Sequence, residues 1–161
     1  MKKRIIAVFG VVLVLFIAWM GYTSVKKLDK KQTIQERQSD LFEMFHQLGQ
    51  VDLPVKPTAI LIFFNSECEH CQWEMQEISK SIDLFSQHQL LLASFEPEQE
   101  AISFLNQYGL SNYYVKSSPE MVMASYTGGV PQTLIYQNGK LTNHFKGEVK
   151  VGAVLEVLGE K

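Results

Sequence analysis

Cys68 and Cys71 are the only two cysteines in this 161-residue sequence, and two residues separate them. They follow a continuous apolar segment and precede a helical pattern, so we expect them at the N-terminus of a helix. Two thiols at this spacing can close an intramolecular disulfide, and the amide N–H groups of a helix start favour the thiolate of the first cysteine. A zinc site needs about four ligands, and the sequence holds no second cysteine pair. The pattern therefore predicts a redox-active dithiol with no metal and no cofactor.

The segments around the dithiol predict an α/β domain in which strands and helices alternate. Apolar runs bounded by turn residues predict strands over 59–64, 90–95, 113–116, 133–137 and 140–145. Helical spacing of apolar residues predicts helices over 34–48 and about 68–85, 98–108, 119–126 and 148–158. The last two strands flank Asn138-Gly139, a strong hairpin signal. This order predicts a mixed sheet with helices on both faces.

The order of these features resembles a known family. With the dithiol after the first strand and Val130-Pro131 before the hairpin, the sequence is similar to thioredoxin-fold proteins over residues 40–160. Within that fold it most resembles the membrane-anchored TlpA-like thiol–disulfide oxidoreductases, because Glu74 completes their C-x-x-C-x-x-E pattern. Gln76 departs from the proline that usually kinks the helix of that group. The resemblance implies a thioredoxin-like sheet flanked by helices, with an extra strand–helix insertion.

The resemblance also implies a role for each residue of the site. Cys68 is the expected attacking thiol, and Cys71 is the expected resolving thiol. Pro131 is expected in the cis form, which leaves the Val130 backbone free to pair with a substrate strand. An ordinary trans proline at the start of a strand is the alternative. Glu74 is either a proton acceptor for Cys71, if it is buried, or a surface residue.

Charged residues near the dithiol bear on its redox direction. An imidazole at His70 favours the thiolate and thus a more oxidising disulfide, whereas nearby carboxylates disfavour the thiolate. Glu69 occupies the position at which oxidases with a Pro-His dipeptide have proline. The acidic residues around the dithiol are Glu67, Glu69, Glu74 and Glu77. Their number favours a reductant of substrate disulfides, and a thiol oxidase is the alternative.

The N-terminus contains an uncharged, mostly apolar segment over residues 5–22. As a helix it would be about 27 Å long, close to the roughly 30 Å of a bilayer core. A cleaved signal peptide is the competing interpretation, but the segment is long for one and no small-residue cleavage site follows it. We therefore predict a basic tail and single transmembrane helix over residues 1–22, a polar stalk over 23–33 and the thioredoxin-like domain over 34–161.

These features together predict where the domain lies and what it meets. Disulfides persist outside the cytosol, so we expect a cell-membrane protein with an extracytoplasmic catalytic domain. Basic residues flank the apolar segment on both sides, and the positive-inside rule is therefore nearly balanced. The net charge of −2 indicates no nucleic-acid partner. The expected partners are protein thiols and disulfides, the lipid bilayer through residues 5–22, and a separate membrane electron donor. A non-catalytic anchored binding module is the alternative class.

Overall fold

The computed structural model describes residues 12–29, 36, 41, 56–117 and 129–159. The chain divides into two compact units, Met1–Glu36 and Arg37–Lys161. In the first unit, residues 12–29 form a helix with exposed apolar side chains. Within the described part of the chain, we find no helix with the length and apolar character that crossing a membrane requires. Residues 5–11 of the predicted anchor lie outside that part.

A five-stranded mixed sheet in the order β3-β2-β1-β4-β5 forms the centre of the second unit. The strands are β1 (Thr58–Phe64), β2 (Gln89–Ser94), β3 (Tyr114–Lys116), β4 (Gln132–Gln137) and β5 (Lys140–Lys146). β1, β2 and β3 are parallel to one another, whereas β4 is antiparallel to both β1 and β5. The five predicted strands are confirmed.

Three helices of this unit are described: α1 (Glu69–Lys80), α2 (Glu98–Asn106) and α3 (Val151–Leu158). α1 ends before the predicted residue 85 because Ser81 leaves helical geometry, and the chain continues as the 3-10 helix Ile82–Phe85. α3 begins after the predicted residue 148 because Lys150 is extended, with φ −71° and ψ 139°. The predicted helix over 119–126, and most of that over 34–48, lie outside the described residues.

The two faces of β1 belong to different parts of the core. Ile60, Ile62 and Phe64 pack with buried residues of α1, α2 and α3, so the three described helices cover one face of the sheet. Leu61 and Phe63 point to the opposite face, where buried residues that include Leu41 and Tyr136 pack around them. Within the described residues, the prediction that helices cover both faces of the sheet is confirmed for one face. Burial on both sides explains why β1 is apolar throughout.

Strand register brings three chain segments to one edge of the sheet. Antiparallel pairing sets Phe63 of β1 opposite Gln132 of β4, so the start of β4 adjoins the end of β1. Parallel pairing sets Phe64 opposite Ser94, so the end of β2 lies on the other side. The dithiol loop, residues 65–68, follows β1 and therefore lies between the segment before β4 and the segment after β2. At the other end of β4, the β4–β5 turn has positive φ at Asn138 (50°) and Gly139 (74°), as a two-residue type I′ hairpin requires.

Candidate active site

Cys68 is the N-cap residue of α1. Its φ of −84° and ψ of 115° are extended, and its carbonyl accepts the first helical hydrogen bond, from the N–H of Gln72, at 3.0 Å. The turn before it is closed by the N–H of Cys68, which donates to the carbonyl of Asn65 at 3.3 Å. Its side chain is partly exposed, and its thiol is free of a disulfide. The first thiol is thus at the start of the helix, where a partner can reach it.

Cys71 lies one turn into α1 and has no exposed surface. Burial raises the pKa of its thiol well above the ordinary value, and a hydrogen bond with the Cys68 side chain and the charges of Cys68 and Glu74 raise it further. A hydrogen bond with the Asn65 backbone opposes this rise. The two cysteines therefore differ in access, with one thiol at the surface and the other in the core.

Glu74 is buried, with 1% of its surface exposed. One carboxyl oxygen, Oε1, accepts a hydrogen bond from the Thr133 hydroxyl at 3.0 Å, whereas Oε2 has no hydrogen-bond partner among the residues that the structure describes. Burial raises the pKa of this carboxyl to about 8, the hydrogen bond from Thr133 lowers it, and the charge of Glu148 raises it. Of the two sequence alternatives, the structure places Glu74 in the interior, on the same helix as Cys71.

The peptide bond between Val130 and Pro131 is cis, as predicted. The Cys68 thiol points at the Val130 carbonyl oxygen, with 3.6 Å between the two atoms. Behind this segment, the Gln132 amide nitrogen donates to the Gly129 carbonyl at 2.5 Å, and His144 Nε2 lies 3.0 Å from Gln132 Oε1. The Gln132 side chain is buried, and its hydrogen bond to Gly129 fixes the segment before Pro131 to the start of β4.

His70 and Glu69 lie on the exposed side of the dithiol helix. The His70 Nδ1 atom is 2.8 Å from Glu148 Oε2, in the segment that precedes α3. The contact joins the first turn of α1 to the C-terminal part of the domain. The His70 side chain is 72% exposed in this pair, so solvent strongly weakens any electrostatic part of the contact. The predicted tuning residues are therefore near the dithiol but on its solvent side.

Two residues near the dithiol, Thr133 and Glu96, are not predicted as site residues from the sequence. Thr133 faces the buried carboxyl of Glu74, and Glu96 accepts hydrogen bonds from Ser66 in the dithiol loop. Both come from strands or strand ends far along the chain, so the spacing around the cysteines carries no signal for them. The one signal in the sequence is that Thr133 follows Pro131 by two residues. No group of three or more metal-ligating side chains was found among the described residues.

An accessible thiol, a buried thiol and a buried carboxyl on one helix can support disulfide exchange in two steps. The outer sulfur can form a mixed disulfide with a partner, and the inner sulfur can then displace that partner. The Val130 carbonyl lies beside the outer sulfur.

Solved structures of other proteins share the fold of this chain. No protein-family model and no curated protein matches the sequence. StoA of Bacillus subtilis is similar in structure, with a TM-score of 0.56 and 17% identity over 66% of this chain and 86% of StoA. A thiol:disulfide interchange protein of Chlorobium tepidum gives a TM-score of 0.57 and 13% identity over 65% and 79% of the two chains. A secreted disulfide oxidoreductase of Mycobacterium tuberculosis gives 0.53 and 15% over 65% and 80%. With its sheet order and its cis proline, this chain therefore has a thioredoxin-like fold.

Proposed function

We propose that the protein is a thiol–disulfide oxidoreductase that exchanges a Cys68–Cys71 disulfide with protein substrates. The observation that supports this most directly is the pairing of access and burial at the dithiol. Cys68 is partly exposed at the helix start and faces the Val130 carbonyl, whereas Cys71 is fully buried below it. The names of structural neighbours, which include a thiol:disulfide interchange protein and a disulfide oxidoreductase, agree with this function.

In the reducing direction, the reaction begins with the dithiol form. The Cys68 thiolate attacks one sulfur of a substrate disulfide, forms a mixed disulfide and releases the other substrate sulfur as a thiolate, which takes up a proton. Cys71 then loses its proton and attacks Cys68 Sγ, which releases the second substrate thiol. The substrate gains two electrons and two protons, and Cys68 and Cys71 are left as a disulfide.

Glu74 is proposed as the proton acceptor for Cys71. The thiol of Cys71 is buried and its pKa is raised, so it needs a nearby base to become a nucleophile. With a pKa of about 8, Glu74 is mostly protonated at neutral pH. Below pH 8, its carboxylate fraction grows about tenfold for each unit by which the pH rises. Resolution of the mixed disulfide is therefore expected to accelerate as the pH rises toward 8.

Val130 and Pro131 are proposed as the substrate-binding segment. A substrate chain that runs beside Val130 could bond to its backbone while its disulfide meets Cys68 Sγ, which is 3.6 Å from the Val130 oxygen. Pro131 offers no N–H at this edge, and it is buried. Recognition would then depend mainly on the substrate backbone, which suits an enzyme that acts on several proteins.

We further propose that residues 5–22 tether the domain to the cell membrane, with the dithiol on the extracytoplasmic side. The apolar composition of that segment supports the tether, as do the exposed apolar side chains of the helix over 12–29. The edge strand β3 agrees with the TlpA-like branch. Alkaline carbonate extraction of membranes tests the tether, and release of the full-length chain would reject it. A C-terminal reporter fusion that is active only in the cytoplasm would reject the placement.

A reductant needs a source of electrons, and the proposed source is a membrane protein that reduces the Cys68–Cys71 disulfide. The direction is tested by the reduction potential of the full-length chain in mild detergent. A value near about −270 mV supports a reductant, and a value near about −120 mV makes the protein a thiol oxidase.

Trapping of mixed disulfides tests the proposed function itself. In the Cys71→Ser variant, Cys68 can attack but no second thiol can release the partner, so disulfide-linked complexes should accumulate and disappear on reduction. The Cys68→Ser variant is the matched control, because it keeps the buried thiol and loses the accessible one. If neither variant traps a protein and both preserve the phenotype of the wild type, the chain is a binding module without thiol chemistry. If Cys68→Ser is the variant that traps, the two roles are reversed.

A further inference from the structure

Ser66 lies two residues before Cys68, and each of its polar groups is hydrogen-bonded. Its N–H donates to Glu96 Oε2 at 2.8 Å, and its hydroxyl donates to Glu96 Oε1. Its carbonyl accepts a hydrogen bond from the Gln72 side-chain amide at 2.8 Å. The dithiol loop is therefore held by a carboxylate on one side and by the dithiol helix on the other.

Glu96 is itself fixed in place. The Ser94 hydroxyl donates to Glu96 Oε2 at 2.8 Å, and the Glu96 N–H donates back to the same hydroxyl at 3.2 Å. Ser94 ends β2, which is paired with β1 in the centre of the sheet. The two carboxylate oxygens accept three hydrogen bonds, and a carboxylate accepts without donating, so this side chain suits three converging donors. The loop is thus attached to a rigid strand.

The attachment controls the position of one cysteine relative to the other. Cys68 belongs to the loop that Ser66 anchors, whereas Cys71 belongs to the body of α1. Closing the disulfide requires a narrow range of distances and angles between the two, and so does attack from Cys68 beside Val130. A loop held in advance loses less conformational freedom when the ring closes.

We propose that Glu96 is a positioning residue for the dithiol, which acts through Ser66 to hold Cys68 in the geometry for disulfide exchange. The inference rests on the proposed function and adds a residue to it. The Glu96 carboxylate accepts hydrogen bonds from Ser66 and Ser94, so its proposed role differs from that of Glu74, which is proposed to take up a proton. Its effect should appear in the ease of closing the Cys68–Cys71 ring.

The reaction with glutathione measures this ease directly in the full-length chain. Cys68 thiolate attacks one sulfur of glutathione disulfide, forms a mixed disulfide and expels one glutathione. Cys71 then attacks Cys68 Sγ and expels the second glutathione. The dithiol loses two electrons and two protons, and glutathione disulfide becomes two thiols. The equilibrium gives the effective concentration of one cysteine toward the other, and the time course gives the rate of attack.

Glu96→Ala should lower this effective concentration by about tenfold, because small losses of alignment have large effects on ring closure and attack. A tenfold change in this two-electron equilibrium raises the reduction potential by about 30 mV. Glu96→Gln should largely restore the wild-type value, since its amide oxygen can accept the Ser66 N–H and its NH₂ can donate to the Ser66 hydroxyl. Glu98→Ala is the matched control, because that exposed acid pairs with Lys116 at 3.2 Å and should leave the equilibrium unchanged.

A thermal melt of each variant shows whether it is folded. If Glu96→Ala does not fold, Ser66→Ala takes its place, which removes the hydroxyl donor alone and should lower the effective concentration by about threefold. The positioning role is wrong if the folded variant keeps the wild-type equilibrium and rate, or if Glu96→Gln is impaired as severely as Glu96→Ala. Failure of the proposed function looks different. In that case Cys71→Ser traps no partner, even though the Glu96 variants alter the reaction with glutathione.

Discussion

Replacement of Glu74 by glutamine should change how the stability of the protein depends on pH. Burial raises the pKa of this carboxyl from 4.5 to about 8 in the folded protein. At about 1.4 kcal/mol for each pKa unit, this difference corresponds to about 5 kcal/mol when the group is fully ionised. Glutamine has nearly the same shape, keeps an oxygen for the Thr133 hydroxyl and never ionises. The variant therefore removes the charge and leaves the packing.

The direction of the effect follows from which state holds the proton. Between pH 4.5 and about 8, folded Glu74 keeps a proton that the unfolded chain releases, so the folded state loses stability as the pH rises. Below pH 4.5 both states are protonated and the penalty disappears. From pH 5 to pH 9, the wild type should lose about 4 kcal/mol relative to Glu74→Gln. A buried amide that lacks a partner changes the offset between the two proteins, but it does not change this slope.

Denaturant unfolding of the full-length chain, followed by circular dichroism under reducing conditions from pH 5 to pH 9, measures this slope. Cys71 stays a thiol across this pH range because burial raises its pKa, and groups away from Glu74 contribute equally to both proteins, so the difference between wild type and variant reports Glu74. Glu77→Gln is the control, since Glu77 lies on the same helix but pairs with Lys80 at 2.8 Å near the surface. The raised pKa of a buried Glu74 would be refuted if the difference in free energy of unfolding between wild type and Glu74→Gln did not change with pH. It would also be refuted if the wild type became more stable relative to the variant as the pH rises.

Three other substitutions test the electrostatics of the site. Thr133→Val should raise the pKa of Glu74 further, because the hydrogen bond from Thr133 lowers it, whereas Glu148→Gln should lower it by removing a repulsive charge. Carboxyl carbon NMR titration of Glu74 measures both, and shifts of the same sign would contradict these assignments. Glu69→Pro should raise the reduction potential, because it removes an acid from the first turn of α1 at a position where proline is tolerated. An unchanged potential after equilibration with glutathione would contradict the electrostatic argument.

Local sequence pattern predicted most of the described fold. The five strands lie within one residue of their predicted ends because apolar runs and turn residues such as Asn138-Gly139 act locally. Helix ends were less accurate. α1 stops at Lys80 because Ser81 turns the chain into a 3-10 segment, and α3 starts late because Lys150 stays extended. Apolar spacing continues through such changes, so periodicity alone does not show them.

The candidate site was predictable as far as motif spacing extends. The order of motifs and the family resemblance predict the dithiol and the cis form of Pro131. The structure brings the two together, because Cys68 Sγ lies 3.6 Å from the carbonyl oxygen of Val130, the residue before Pro131. The contacts of Glu74 with Thr133 and of Ser66 with Glu96 join residues about thirty to sixty positions apart. Strand register creates these contacts, and a single sequence without the pairing of its strands carries no sign of them.

The charges around the dithiol divide into two groups that should control different quantities. Glu67 and Glu69 are exposed, so solvent screens their interaction with Cys68. Their charges should therefore have a modest effect on the reduction potential. Glu74 is buried and acts on Cys71, whose pKa is already raised by burial. Cys71 is a thiol at neutral pH with or without that charge, so Glu74 should affect the rate at which Cys71 resolves a mixed disulfide more than the final equilibrium. Glu69→Pro should therefore shift the potential, whereas Glu74→Gln should slow resolution and remove its rise toward pH 8.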